Sequence, residues 1–344
     1  MRAVVFHGPG EKSWDEVPDP KIEDDGDMIV QVDSVTICGT DLHILKGDVP
    51  EVVPGRVLGH EAVGTVVETG AGVRNRRVGE RVLLSCISAC GRCPSCRRGQ
   101  YGLCQGGGGW LFGHLIDGVQ AELARVPFAD TSTYPVPEGL SDEQVLYLAD
   151  ILPTGYEVGV VNGHVQPADV VAIVGAGPIG LAALVGARLY TPRHVVVVDP
   201  AEARRAAALR FGADSAVEPG QAAEAVAELT GGRGADVTIE AVGIPETFEQ
   251  CCALVRPGGH VANVGVHGKP ATLHLEELWI KDVTITTGLV DTFTIPTLLD
   301  LIGAGRIDPA GFTSHRFGLD DALDAYDTFA RAAETDAMKV LMSR

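Results

Sequence analysis

The sequence predicts an α/β chain of two domains, a doubly wound parallel sheet and an irregular β-rich lobe. Three observations predict it. From about residue 154, continuous Val and Ile runs alternate with alanine-rich stretches; a GAGPIG run follows one of those apolar runs; and four cysteines crowd into CGRCPSCRRGQYGLC within a strand-like first half.

A chain of 344 residues is too long for one typical core, so two domains are expected, each able to bury a sizeable interior. Hydrophobic content of 45%, charged content of 21% and no apolar run of membrane-spanning length describe a soluble protein with no membrane partner. Cytoplasmic residence follows as the expectation. A formal charge of −19 repels phosphate backbones, which argues against a nucleic-acid partner.

The chain opens on a strand-like run, MRAVVF, with no apolar secretory segment. Short β-rich segments punctuated by glycine and proline follow, of which 28–34 and 62–68 are the clearest. Beyond residue 154 the strands are 170–174, 195–198, 237–240 and 260–264, with covering helices at 178–189 and 202–211. Unbroken apolar strands of this kind suit a sheet covered on both faces. A last strand, 283–287, precedes a helix at 295–304 and a mixed terminal segment that returns to the first lobe. The expected division is 1–153, with a metal lobe at about 86–106, then 154–290, then 291–344.

Cys90, Cys93, Cys96 and Cys104 bring four thiolates round one small loop, as a closed tetrahedral Zn²⁺ site requires. A disulfide framework is disfavoured in a reducing compartment. An iron–sulfur run of this type has its fourth cysteine sooner and before proline, whereas Gln105 follows Cys104. Cys86, Cys251 and Cys252 fall outside these spacings and read as small apolar core residues.

GAGPIG, Gly175 to Gly180, directly follows VVAIV and opens a helical stretch, the context that makes a G-x-G-x-x-G run a dinucleotide site. Gly175 permits the tight turn, Gly177 lets amides approach a pyrophosphate, and Gly180 lets helix and strand pack closely; Pro178 and Ile179 begin the helix. Asp199, at the end of HVVVVDP, can accept hydrogen bonds from the adenosine ribose and repels a 2′-phosphate, so NAD is expected over NADP. Arg204 and Arg205 stand nearby and leave some NADP use open.

A second group of ligand types lies upstream: Cys38 in ICGTDLH, His60 and Glu61 in LGHEAVG, and Asp150 in YLADILPTGY. Thiolate, imidazole and carboxylate together suit Zn²⁺, and three protein ligands leave a fourth position open. Singly, each also reads as a structural residue.

Taken together, CGTDLH, GHEAVGTVVETGAGV, the four-cysteine lobe, DILPTGY, GAGPIG and VRPGGHVANVG resemble the zinc-dependent medium-chain alcohol dehydrogenases over nearly the whole chain. That resemblance implies a GroES-like catalytic domain built from both ends of the chain around a central Rossmann domain, two zinc ions, NAD, and a small-molecule alcohol as substrate. It implies Cys38, His60 and Asp150 as catalytic zinc ligands, with Glu61 nearby or exchanging. Asp150 stands where many relatives carry cysteine, as in bacterial secondary-alcohol dehydrogenases. Thr40 would take the substrate proton and His43 pass it, through the cofactor ribose, to solvent, while Asp41 would support the loop or orient His60. Thr154, Val264, Gly265, Val266, Leu289 and Val290 resemble residues lining the nicotinamide, and Lys339 a basic cofactor contact, with a surface lysine as its alternative. Trp110 and Ile87 are the expected substrate-pocket wall, and His114 reads as structural. Polyol, amino-alcohol or formaldehyde dehydrogenases of the same superfamily share this pattern. A zinc- and nucleotide-binding regulatory protein without activity is the rival of another class, and a homotetramer is the assembly relatives of this length suggest.

Overall fold

The computed structural model describes residues 1–344, and they form two compact units. One joins Met1–Asp150 to Asp291–Arg344, and the other is Ile151–Val290.

The first unit is built on an antiparallel-rich sheet of seven strands. Their order is Thr313–Gly318, Lys339–Ser343, Met28–Thr36, Ala62–Thr69, Arg81–Leu84 and Thr133–Pro135, with Leu123–Val126 also paired to Met28–Thr36. The C-terminal strand therefore enters this sheet, Leu341 opposite Thr36. Alternation of inward and outward residues lets the sheet bury one face, and Val30, Val32, Val35, Leu84, Phe112, Tyr326 and Val340 fill the core behind it. Two small ladders flank it: Arg2–Gly8 with Glu11–Glu16, and Ile87–Ser88 with Gly109–Trp110.

The second unit is a six-stranded parallel sheet in the order Ser215–Val217, His194–Val198, Val170–Val174, Ala235–Glu240, Val255–Asn263 and Thr284–Thr287. The chain starts in the middle, winds outward one way, then returns and winds the other, which is the doubly wound Rossmann order. Every residue of Val170–Val174 is buried, the physical consequence of helices on both faces. Helices Pro178–Arg188 and Glu202–Arg210 end one residue short of the spans read from sequence, and Val255–Asn263 begins five residues earlier than expected, leaving Val264 beyond its end. Ala222–Thr230 and Pro245–Leu254 are further helices that the sequence reading does not name. Thr154–Val161 winds as a π-helix, a form that recurs at functional sites. No helix is long and apolar enough to cross a membrane.

Candidate active site

The lobe comes first because its chemistry is the simplest. The sulfurs of Cys90, Cys93, Cys96 and Cys104 all lie within 4.8 Å of one another, and none is in a disulfide. Sulfurs at the corners of a zinc tetrahedron with bonds of about 2.3 Å stand about 3.8 Å apart, and Cys90 Sγ lies 3.9 Å from Cys96 Sγ. Backbone amides converge on the sulfurs: Cys96 and Gln105 donate to Cys93 Sγ, and Cys90 and Gly106 to Cys104 Sγ, each at 3.4 Å. The Cys96 amide, then that of Gln105, pulls the Cys93 thiol down to about 6. At Cys104 burial pushes up, but the amides together outweigh it. The amides favour the thiolates of Cys93 and Cys104, while burial pushes the Cys96 thiol up to about 12; the sulfur spacing fits a divalent metal.

The second cluster is assembled from three distant segments. Cys38 caps the helix Gly39–Lys46 in extended conformation, its amide donating to Asp41 Oδ2 at 2.9 Å. His60 and Glu61 immediately precede the strand Ala62–Thr69, and Asp150 follows the turn Leu146–Leu148. Cys38 Sγ lies 3.3 Å from Asp150 Oδ2, and His60 Nε2 lies 3.4 Å from the same oxygen. A tetrahedral zinc with bonds of about 2.0–2.3 Å separates sulfur from oxygen by about 3.5 Å and nitrogen from oxygen by about 3.3 Å. The donor set therefore fits zinc without rearrangement. Burial, then the Asp150 charge, pushes the Cys38 thiol up, so these acceptors call for a cation that inverts the local charge balance.

Support for the cluster is polar and buried. Asp41 Oδ1 stands 3.7 Å from His60 Nδ1, on the side away from Asp150 and beyond hydrogen-bond distance, so its carboxylate faces the ring by charge alone. Gln120 donates to Asp41 Oδ2 and to the Thr36 carbonyl, and its own oxygen accepts from Tyr326 Oη at 2.6 Å. Glu61 is paired through Oε2 with the Lys339 ammonium, which also donates to the Ile37 carbonyl. Lys339 is fully buried. Burial corrects the surface alternative: the ammonium is enclosed against Glu61, whose charge holds it there.

Thr40 Oγ1 lies 3.7 Å from Cys38 Sγ, at the edge of the cluster. His43, in the last turn of the same helix, bonds through Nδ1 to Asp48 Oδ2 at 2.8 Å and is partly exposed. Trp110 meets His60 edge-on at 6.3 Å and stacks on His114 at 4.2 Å. Ile87, expected beside Trp110 in a pocket wall, is 1% exposed and belongs to the ladder core. The residue before it faces the cluster instead. Cys86 Sγ lies 3.6 Å from Asp150 Oδ1, and burial, with the Asp150 charge adding, pushes its thiol well up. Cys86 is buried, as its reading as a core residue expects; its contact with Asp150 leaves no signal in the cysteine spacing.

In the Rossmann unit, Asp199, Arg204, Gly175, Val174, Val242 and Thr247 line a cavity of about 580 Å³. Gly177 caps the helix Pro178–Arg188 at φ −74°, ψ −178°, with Pro178 and Ile179 in its first turn. A Cβ on Gly177 would meet only the Arg204 guanidinium, at 3.4 Å, whereas one on Gly180 would lie 1.8 Å from the Gly175 carbonyl. Open space at the first and none at the second is what a helix N-terminus approached by an anion requires. Asp199 accepts from the Ala176 and Ala201 amides at 2.8 Å each. Arg205 is tied to the Asp199 and Pro200 carbonyls and to Glu218. Thr154 opens the π-helix, half-buried; Val264 and Val290 are buried, while Val266 and Leu289 are exposed. Gly265 packs against the buried Glu240 carboxylate, which also takes the Val242 and Gly243 amides.

Comparison with known proteins agrees with this geometry. Residues 24–138 match the alcohol dehydrogenase GroES-like domain and residues 178–304 the zinc-binding dehydrogenase domain. An alcohol dehydrogenase of Cupriavidus necator is 36% identical over 96% of this chain and 95% of its own length. Zinc dependent alcohol dehydrogenase 2 from Streptococcus pneumonia, solved in an apo form, matches with a TM-score of 0.96 at 46% identity, covering 100% of this chain and 98% of that one. Alcohol dehydrogenase TADH from Thermus sp. ATN1 matches at 0.92 and 37% identity, covering 100% and 99%.

Proposed function

We propose, for a chain that belongs to the zinc-dependent medium-chain alcohol dehydrogenase family and is thus a zinc-dependent, NAD-linked oxidoreductase of a CH–OH/carbonyl pair, that its substrate is a small secondary or primary alcohol. The observation that carries this is the set Cys38, His60 and Asp150, three buried donors within 4.8 Å of one another, a number that leaves one tetrahedral position for a substrate oxygen. Zinc held there supplies a Lewis acid, and NAD in the Rossmann unit a hydride acceptor.

The chain's own groups do the rest. Thr40 accepts the hydroxyl proton of the alcohol, and His43 relays it toward solvent, Asp48 holding Nδ1 so that Nε2 is the exchanging nitrogen. Asp41 keeps the His60 ring oriented. Trp110, whose indole N–H is taken by the Phe112 carbonyl, offers the alcohol an apolar face, which favours a small alcohol over a polyol or amino alcohol. Asp199 favours NAD over NADP by repelling a 2′-phosphate. Arg205 is committed to Glu218 and backbone carbonyls, which leaves Arg204, in the same cavity as Asp199, as the arginine that could meet such a phosphate. The retention of Thr40 and His43 beside the donor set argues against a regulatory protein without activity.

Homotetrameric assembly is part of the same reading. The sheet of the Rossmann unit ends in Thr284–Thr287, an unpaired edge, with Trp279 and Ile280 75% and 72% exposed beside it, a combination that invites another copy. Initial rates across primary, secondary, aromatic and polyol substrates with NAD⁺ and NADP⁺ test the assignment. A polyol or amino alcohol turned over faster than every simple alcohol contradicts the substrate class, and no turnover of any substrate favours the regulatory alternative.

A further inference from the structure

We infer that Cys86 is a positioning residue for Asp150: its thiol holds Oδ1 by a hydrogen bond and so reserves Oδ2 for the metal. The inference rests on the reading of Cys38, His60 and Asp150 as the ligand set. Two oxygens of one carboxylate face different neighbours. Oδ2 lies 3.3 Å from Cys38 Sγ and 3.4 Å from His60 Nε2; Oδ1 lies 3.6 Å from Cys86 Sγ. Cys86 is buried, and its sulfur does not belong to the mutually close donor group, so it is a neighbour of the ligand and not a fourth ligand.

The thiol is itself fixed from both sides. The Cys86 amide donates to the Ala149 carbonyl at 2.9 Å, which ties this segment to the residue preceding Asp150. Ser85 Oγ receives the Ile87 amide at 3.1 Å and bonds Thr292 Oγ1 at 2.8 Å. An ionised carboxylate only accepts, and a thiol is a weak donor; with Oδ1 engaged, Asp150 binds through one oxygen. A carboxylate whose second oxygen is free can swing to bidentate binding and occupy the position that the substrate oxygen needs.

The test compares Cys86→Ser, which keeps a donor in a smaller side chain, with Cys86→Ala, which removes it. Cobalt(II) at the catalytic position should show intense four-coordinate bands in the wild type and in Cys86→Ser, and weaker five-coordinate bands in Cys86→Ala. Catalytic zinc affinity should fall about 10- to 100-fold in Cys86→Ala, as for other partners of ligating groups, with lobe zinc unchanged as the check on folding. Equal spectra and zinc affinity in the two variants overturn this inference alone. A wild type binding one zinc per chain overturns the ligand reading and this inference with it. Should Cys86→Ala lose its lobe zinc, the S–H stretching band missing from Cys86→Ser decides: a hydrogen-bonded frequency in the wild type supports the inference, and that of a free thiol overturns it.

Discussion

Gly177 and Gly180 sit three residues apart in one motif, yet replacing each by alanine should harm the protein in opposite ways. At Gly180 the new Cβ falls 1.8 Å from the Gly175 carbonyl oxygen. Restoring an ordinary contact of 3.4 Å requires the helix start to retreat by about 1.6 Å from its strand, an overpacking cost at the upper end of the usual range, about 3 kcal/mol. Ile151–Val290 is a unit of a size for which 1 kcal/mol moves the midpoint by about 4 °C, so Gly180→Ala should melt roughly 10 °C lower. At Gly177 the Cβ meets nothing but a guanidinium tip at 3.4 Å, and φ is −74°. Alanine for glycine at a helix N-cap changes stability by only about 0.5 kcal/mol. The Cβ does, however, stand where a pyrophosphate must approach the amides, so NADH affinity should drop at least about tenfold, roughly 1.4 kcal/mol. Circular dichroism melts and fluorescence titration with NADH read the two effects separately. Equal destabilisation by both changes, or unaltered NADH binding in Gly177→Ala, refutes the reasoning.

Cys93→Ser should remove the lobe zinc and lower the melting temperature, whereas Cys38→Ser should abolish turnover with the lobe zinc retained; metal analysis beside melting curves checks the division. The Cys93 thiol is depressed to about 6, so its contribution is complete above the unfolded value of 9.0 and is lost as pH falls through about 6. Lobe zinc release to a chelator should accordingly steepen below that pH. Asp199→Gly should narrow the preference for NAD⁺ over NADP⁺, read as the ratio of kcat/KM values. Thr40→Val should cut turnover at least about a hundredfold with zinc content unchanged, and His43→Gln should slow oxidation most at low to neutral pH, with partial recovery in imidazole buffer. Lys339→Met leaves the buried Glu61 carboxylate without its cation, a loss of about 3–5 kcal/mol by denaturant unfolding; a change under 1 kcal/mol contradicts the pairing.

Local signals survive in the sequence because they are short. The four-cysteine lobe closes over fifteen residues, CGRCPSCRRGQYGLC, and strand, turn and helix around GAGPIG are contiguous, so spacing carries their geometry. Helix ends were readable to within a residue at 178–188 and 202–210, where an N1 proline or a following turn marks the boundary. Ala222–Thr230 and Pro245–Leu254 went unread although each carries an end signal, Gly231 in the left-handed region after the first and Pro245 in the first turn of the second.

By itself, then, the sequence determined what lies within a few residues: metal-ligand types, the glycine turn, the acidic residue after the second strand, and two domains of different periodicity. Only the tertiary structure decided which groups meet across the chain. Cys38, His60 and Asp150 converge from segments more than a hundred residues apart in the extreme pair, Lys339 is drawn from the C-terminal strand onto Glu61, and Cys86 turns to Asp150 while Ile87 enters the core. The meeting of Lys339 with Glu61 depends on the register of the sheet that joins the last strand to an early one, and the other meetings on how loops between strands pack. Neither leaves a trace in the local spacing of residues.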